Sequence, residues 1–194
     1  ARFGTERPLV RIQSPRPLLL KGPGIPGLLF FPPRYNRHMT IRRAEPRDTD
    51  ALGRLGAALM RTHYDFDRQR FLEPHQGSEQ GYGHFLRSQL DDDDCAVFVA
   101  DMDGRVAGYV YAAVEPLSWK DLRGECGFIH DLLVDPAERG AGVGRALLEQ
   151  AIAWLRERGM PRVVLSTAAQ HIGAQRLFSQ RGFRSTMIEM TLEV

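Results

Sequence analysis

The stretch Arg139–Leu148, RGAGVGRALL, constrains this 194-residue chain more than any other. Glycines stand at alternate positions 140, 142 and 144, and an arginine and an apolar helical run follow directly. A backbone without side chains can cup an anion with its own N–H groups, and a helix that starts there adds its positive dipole end. The expected guest is a phosphate. Spacing separates this run from two common phosphate loops. A G-x-G-x-x-G fingerprint needs glycine where Arg145 or Leu147 stands, and a nucleoside-triphosphate loop needs a G-K-[ST] ending that is absent. What remains is R-x-x-G-x-G over Arg139, Gly142 and Gly144. A glycine-rich helix start with no ligand satisfies the same letters.

The elements around this run predict an α/β domain. Met39–Ala44 reads as a strand, and Asp48 or Thr49 is placed to cap a helix from Asp50 to about His63, with Leu52, Leu55, Ala58 and Leu59 at helical spacing. A second helix is expected over Tyr82–Leu90. Cys95–Ala100 and Arg105–Glu115 read as antiparallel strands joined through DMDG, a hairpin signal. Cys126–Val134 is the next strand and runs into the glycine stretch. A helix with Val143, Leu147, Ala151, Trp154 and Leu155 on one face stops at Gly159. The strand Arg162–Ser166, a helix through Ile172–Phe178 and a final strand in FRSTMIEMTLEV complete the pass. Hairpins followed by strand–helix alternation imply a mixed, mostly antiparallel sheet with its parallel part at the glycine loop.

Residues 1–38 differ from the rest. They hold seven of the twelve prolines and show no helical or strand period, so they read as an upstream extension, the alternative being a proline-rich arm docked on the domain or on a second subunit, with 39–194 as the domain. Their surplus of six positive charges against +2 for the whole chain leaves the remainder at −4. An acidic body argues against nucleic acid as a partner. No apolar run approaches the roughly 18 residues of a membrane span. Cys95 and Cys126 have neither metal-ligand spacing nor the makings of a disulfide framework, which fits a reducing cytoplasm and no metal.

DLLVDPAERGAGVGRALLEQAIAWLRERG, the strand after it and the later AQRLFSQRGF resemble the GNAT superfamily of acetyl-CoA-dependent N-acetyltransferases, and the resemblance covers Met39–Val194. It implies a GNAT-like mixed sheet with helices on both faces and a parallel split at the acetyl-CoA site. It also implies a V-shaped opening between the hairpin strands and His130–Val134, where the pantetheine arm pairs with backbone of Leu132, Leu133 and Val134. The N–H groups from Gly140 through Ala141, Gly142, Val143, Gly144 and Arg145 to Ala146 would hold the CoA pyrophosphate. Arg145 is either a phosphate contact or a solvated helix residue.

Direct transfer to an amine needs a neutral nucleophile, a route for its proton and donors for the developing oxyanion. By family analogy a backbone N–H near Leu133 or Val134 is the oxyanion donor. His130 is the candidate base, since imidazole titrates near neutrality and relatives carry a glutamate or histidine at the matching place. The alternative is a structural histidine on the face shared by Leu132 and Val134. Asp131, on the opposite face of a regular strand, either orients the substrate amine or caps a loop. Two positions depart from the family. Phe178 stands where many members have a tyrosine that protonates the CoA thiolate, and His171 where an asparagine commonly meets the pantetheine arm. No general acid is assigned, because a thiolate of pKa about 8.5–9 can leave with solvent as donor.

The expected reaction moves an acetyl group from acetyl-CoA to a primary amine on a small cationic molecule. Tyr64, Asp65, Asp67, Glu73, Glu115 and Glu125 are the acidic and aromatic candidates to attract it. A protein or peptide N-acetyltransferase and a catalytically weak CoA-binding sensor are the competing readings. A homodimer is left open.

Overall fold

Asp103 and Gly104 both take positive φ, 53° and 86°, which makes the tight two-residue turn that a D-G pair favours. The strands it joins therefore pair up to the turn itself. β2 spans Cys95–Met102, two residues beyond the expected end, and β3 spans Arg105–Glu115. The computed structural model describes residues 38–194, so the expectation for the proline-rich extension falls, His38 apart, outside the described residues.

With β1 (Met39–Arg43), β4 (Cys126–Val134) and β5 (Val163–Leu165), these strands form one five-stranded sheet in sequence order. Every neighbouring pair is antiparallel except β4 and β5, which run parallel. Helices cover both faces. On one side α3 (Val143–Glu157) and α4 (Ile172–Ser179) pack Leu147, Leu148, Ala151, Leu155 and Phe178 onto Ala96, Phe98, Val110, Ala112 and Ile129. On the other, α1 (Thr49–Phe66) and α2 (Ser78–Ser88) pack Leu52, Leu55 and Leu86 onto Val97, Val99, Tyr109, Tyr111 and Leu133. Leu52, Leu86, Leu147 and Leu155 are fully shielded from solvent, each worth on the order of 2 kcal/mol.

α1 and α2 cross on glycine. A Cβ on Gly53 would lie 2.3 Å from the Glu79 carbonyl oxygen, and one on Gly56 would lie 2.0 Å from the Tyr82 ring. That contact explains why α2 begins at Ser78, four residues before the expected Tyr82: tertiary packing outweighs the low helix propensity of its glycines.

Several boundaries differ from the sequence reading. α1 continues three residues past His63, to Phe66. Neither Asp48 nor Thr49 caps it through a side chain; the Asp48 carboxylate instead accepts from the Glu45 N–H at 2.8 Å and from Arg42 at 2.7 and 3.0 Å. β5 is only three residues long. The final strand expected in FRSTMIEMTLEV does not form: Met187, Ile188, Met190 and Leu192 are exposed, and Glu189 is ion-paired to Arg70. Alternating apolar residues supply one face of a strand but no partner for its backbone, and among the described residues none pairs with this segment. Among them, too, no helix is long and apolar enough to cross a membrane.

Candidate active site

Pairing decides where the sheet opens. β4 is bonded to β3 from Glu115↔Cys126 to Gly108↔Val134, but to β5 only from Gly127 to Ile129. From His130 to Val134 its second edge has no strand partner among the described residues. The opening expected between the hairpin and His130–Val134 is therefore corrected: it lies on the other side of β4, toward β5, because the hairpin side is closed by a complete ladder. Parallel pairing holds the far end of β4, and the split faces the glycine loop.

That loop starts as β4 ends. A short 3-10 turn, Pro136–Glu138, is capped by Asp135, whose carboxylate accepts the Ala137 N–H at 2.9 Å. Gly140 and Gly142 then take φ of 79° and 84°, and Gly142 is the N-cap of α3. Left-handed backbone is what these two positions require of glycine. Gly144 is different: a Cβ there would meet Val134 at 3.4 Å and Leu177 at 3.6 Å, ordinary contacts in an ordinary helical turn. The N–H groups of Gly140, Ala141, Gly142, Val143, Gly144 and Arg145 have no acceptor among the described residues. The Ala146 N–H, expected in the same set, is taken by the Gly142 carbonyl at 3.0 Å. Val143 is buried and Ala141 packs against the core, so the row is anchored from beneath. Arg145 is ion-paired to Glu149 at 2.9 Å, and Arg181, which sequence reasoning missed, meets the same carboxylate at 3.5 Å. Arg139 reaches back to the Val134 carbonyl at 3.5 Å.

Within β4 the register carries a bulge. Tyr111 faces Asp131 and Ala112 faces Ile129, so His130 is the extra residue. Neighbours that would point to opposite faces of a regular strand now share one, which corrects the placement of Asp131 opposite His130 and of His130 with Leu132 and Val134. The His130 ring lies between Tyr111 at 4.9 Å and Phe128 at 4.7 Å, nearly parallel to both. Its Nε2 is 3.0 Å from Glu115 Oε1, and a third of the side chain is exposed. On the same face, Asp131 Oδ2 accepts the hydroxyls of Tyr82 at 2.7 Å and Tyr109 at 3.0 Å, while Oδ1 has no hydrogen bond among the described residues. Burial pushes the Asp131 carboxyl up from the ordinary carboxylate range, against the two hydroxyls and the nearby His130 and His63, which pull it down. Burial and the carboxylate also raise both tyrosines, so they stay protonated donors. Tyr111 is fixed by a 2.9 Å bond to Gln89 and by the edge of Phe85.

Other sequence candidates sit around this group. Leu133 is buried on the α1–α2 side, whereas Leu132 and Val134 pack toward α3. His171 caps α4, its Nδ1 accepting the Ala174 N–H at 3.2 Å with its ring against Phe66. Burial first, then His63 and Arg139, hold this imidazole below its usual range, which suits the acceptor role. Phe178 is a core residue packed on Phe183. Asp67 turns the chain by accepting the N–H groups of Gln69 and Arg70. Tyr82, Tyr109 and Tyr111 were missed. Tyr109 and Tyr111 share one face by their two-residue spacing on β3, a signal the sequence carries, but nothing local marks Tyr82. Among the described residues no His, Cys, Asp or Glu cluster is arranged to hold a metal ion.

Three comparisons bear on this geometry. The sequence pattern of the Acetyltransferase (GNAT) family matches residues 58–183. The mycothiol acetyltransferase of Thermobispora bispora is 28% identical over 193 residues, covering 98% of this chain, and this chain spans 59% of its length. Among solved structures, a variant of the BH1408 protein of Bacillus halodurans superposes with a TM-score of 0.68 at 21% identity, over 80% of this chain and 99% of that one. A protein of Clostridium acetobutylicum described as a predicted acetyltransferase, with acetyl-CoA, superposes at 0.61 with 18% identity, over 80% and 96%.

Proposed function

Because the chain belongs to the acetyltransferase (GNAT) family, we propose that it moves an acetyl group from acetyl-CoA directly to a primary amine on a small cationic molecule. The observation that carries this reading is the row of N–H groups from Gly140 to Arg145, without an acceptor among the described residues, at the mouth of the β4–β5 split. Bare amides at a helix start fit a pyrophosphate, and an unpaired strand edge fits an amide-bearing pantetheine arm. The Clostridium acetobutylicum structure, which contains acetyl-CoA, supports the choice of ligand, and the relative named for mycothiol supports a small-molecule acceptor.

In the proposed reaction the neutral amine forms a C–N bond to the thioester carbon, the C–S bond breaks, and the amine proton passes to His130 directly or through one water. A backbone N–H near Leu133 or Val134 meets the developing oxyanion, and the thiolate leaves with solvent as proton donor. Asp131 Oδ1 orients the acceptor amine. Arg139 and Arg145 add positive charge beside the phosphates, His171 supports the arm by holding the start of α4, and Phe178 fills the core beneath.

The test is thiol release from acetyl-CoA in the presence of polyamines, aminoglycosides, arylalkylamines, amino acids and N-terminal peptides. Amine-dependent release with a small cationic acceptor is expected. CoA binding without release for any amine would overturn the reading in favour of a sensor.

A further inference from the structure

His130 is held by more than its strand. Tyr111 and Phe128 cover both faces of the ring, so only its edges are available for chemistry, and one edge is engaged: Nε2 lies 3.0 Å from Glu115 Oε1. An ionised carboxylate can only accept, so this bond requires the proton on Nε2. Nδ1 has no hydrogen-bond partner among the described residues. Glu115 is held in turn, with Oε2 4.0 Å from Arg123 Nη2, while the Arg123 guanidinium lies 5.6 Å from the centre of the Phe128 ring. Arg123, Glu115, His130 and Phe128 thus form a closed group on the β3–β4 side of the site.

We propose that Glu115 is a positioning residue for His130: by accepting the Nε2–H it fixes the imidazole tautomer, so that Nδ1 is the atom that takes the amine proton. The inference rests on reading His130 as the base. As the C–N bond forms and the C–S bond breaks, the amine proton moves to Nδ1, the ring becomes an imidazolium whose Nε2–H still faces a carboxylate, and the Nδ1 proton then returns to solvent. Glu115 opposes the positive charge developing on the ring and prevents the ring turning its C–H edge to the substrate. The charged and titratable groups that face the imidazole are Glu115 and Tyr111 on β3, Glu115's own partner Arg123 in the loop before β4, and Asp131 on β4, which is faced in turn by His63 on α1, Tyr82 on α2 and Tyr109 on β3.

The test joins a spectroscopic readout to kinetics on the full chain. Imidazole 15N–1H correlation spectra, with the His130 signals identified by their loss in His130→Ala, should show a protonated Nε2 and a bare Nδ1 in the neutral form of the ring. Glu115→Ala should mix the tautomers and lower kcat by roughly 10- to 100-fold with an unchanged KM for acetyl-CoA, the usual scale for losing the partner that orients a histidine. Glu115→Gln, whose amide oxygen still accepts, should recover part of both signals. Melting temperatures of both variants separate this from unfolding: a fall in kcat fully accounted for by lost folded protein overturns the proposal. A wild-type ring protonated on Nδ1, or a tautomer indifferent to Glu115→Ala, overturns it directly. A tautomer that responds to Glu115 beside undiminished turnover of His130→Ala overturns it through its premise, and that pattern identifies the base reading as the part that failed.

Discussion

Replacing Gly142 by alanine tests the phosphate site where its geometry is most demanding. Gly142 has φ 84° and ψ 0°, and an L-residue there costs about 1–2 kcal/mol. For a domain of this size each kcal/mol shifts the melting temperature by about 2–4 °C, so a fall of about 2–8 °C is expected. The alternative to bearing the strain is to unwind the N-cap, which turns away some of the N–H groups aimed at the ligand. A hydrogen bond to a charged group is worth about 1.5–3 kcal/mol, and 1.4 kcal/mol is tenfold in affinity, so losing one weakens CoA binding by roughly 10- to 100-fold. Gly144→Ala is the internal control: its Cβ meets only ordinary contacts in helical backbone, so the melting temperature and CoA affinity should both hold. Calorimetric titration with CoA and a thermal melt on each variant give the answer. Unchanged CoA affinity in Gly142→Ala, or equal loss in both variants, would rule out a phosphate site that depends on left-handed backbone at Gly142.

His130→Ala should lower turnover by about 10²–10⁴-fold while leaving CoA affinity intact, measured by thiol release and calorimetry on one preparation. Gly56→Ala puts a methyl group 2.0 Å from the Tyr82 ring and should destabilise by about 1–3 kcal/mol while weakening the hold on Asp131; an unchanged melt would show that α1 and α2 do not rely on this contact. At Asp48, burial favours the neutral acid but is outweighed by Arg42 and the Glu45 N–H, so its folded pKa is lowered. Its contribution is then fully present above the unfolded value near 3.9 and is lost as pH falls through the lower folded value, so Asp48→Asn should reduce the melting temperature at pH 7 and flatten its acid limb.

Elements with local causes were legible in the sequence. D-G produces the β2–β3 turn, alternate glycines mark the α3 start, and the apolar face from Val143 to Leu155 packs on the sheet as its spacing requires. What depends on distant partners was not legible. The α2 start depends on Gly53 and Gly56 of α1, and one of the two hydroxyl partners of Asp131 arrives on α2 as Tyr82. The last segment has strand letters and no strand, because β pairing belongs to two segments at once. His130 and Asp131 were candidates in the sequence but were placed on opposite faces, since a bulge is a mismatch between two strands and leaves no mark in either alone.

That bulge also coincides with the opening. β5 pairs with Gly127, Phe128 and Ile129 and stops, and the next residue of β4 is the extra one, His130. An inserted residue bends its strand and increases its twist, which disfavours continued pairing along the neighbouring edge. The ladder to β3 survives on the other side because antiparallel pairing resumes at Tyr111↔Asp131. A single added residue thus stands where the β5 pairing stops and brings His130 and Asp131 onto one face. A regular strand would separate these effects: it would send one of the two side chains to the α3 face, into the cluster of Val110, Ala112 and Ile129, where neither an imidazole nor a carboxylate would find a polar partner.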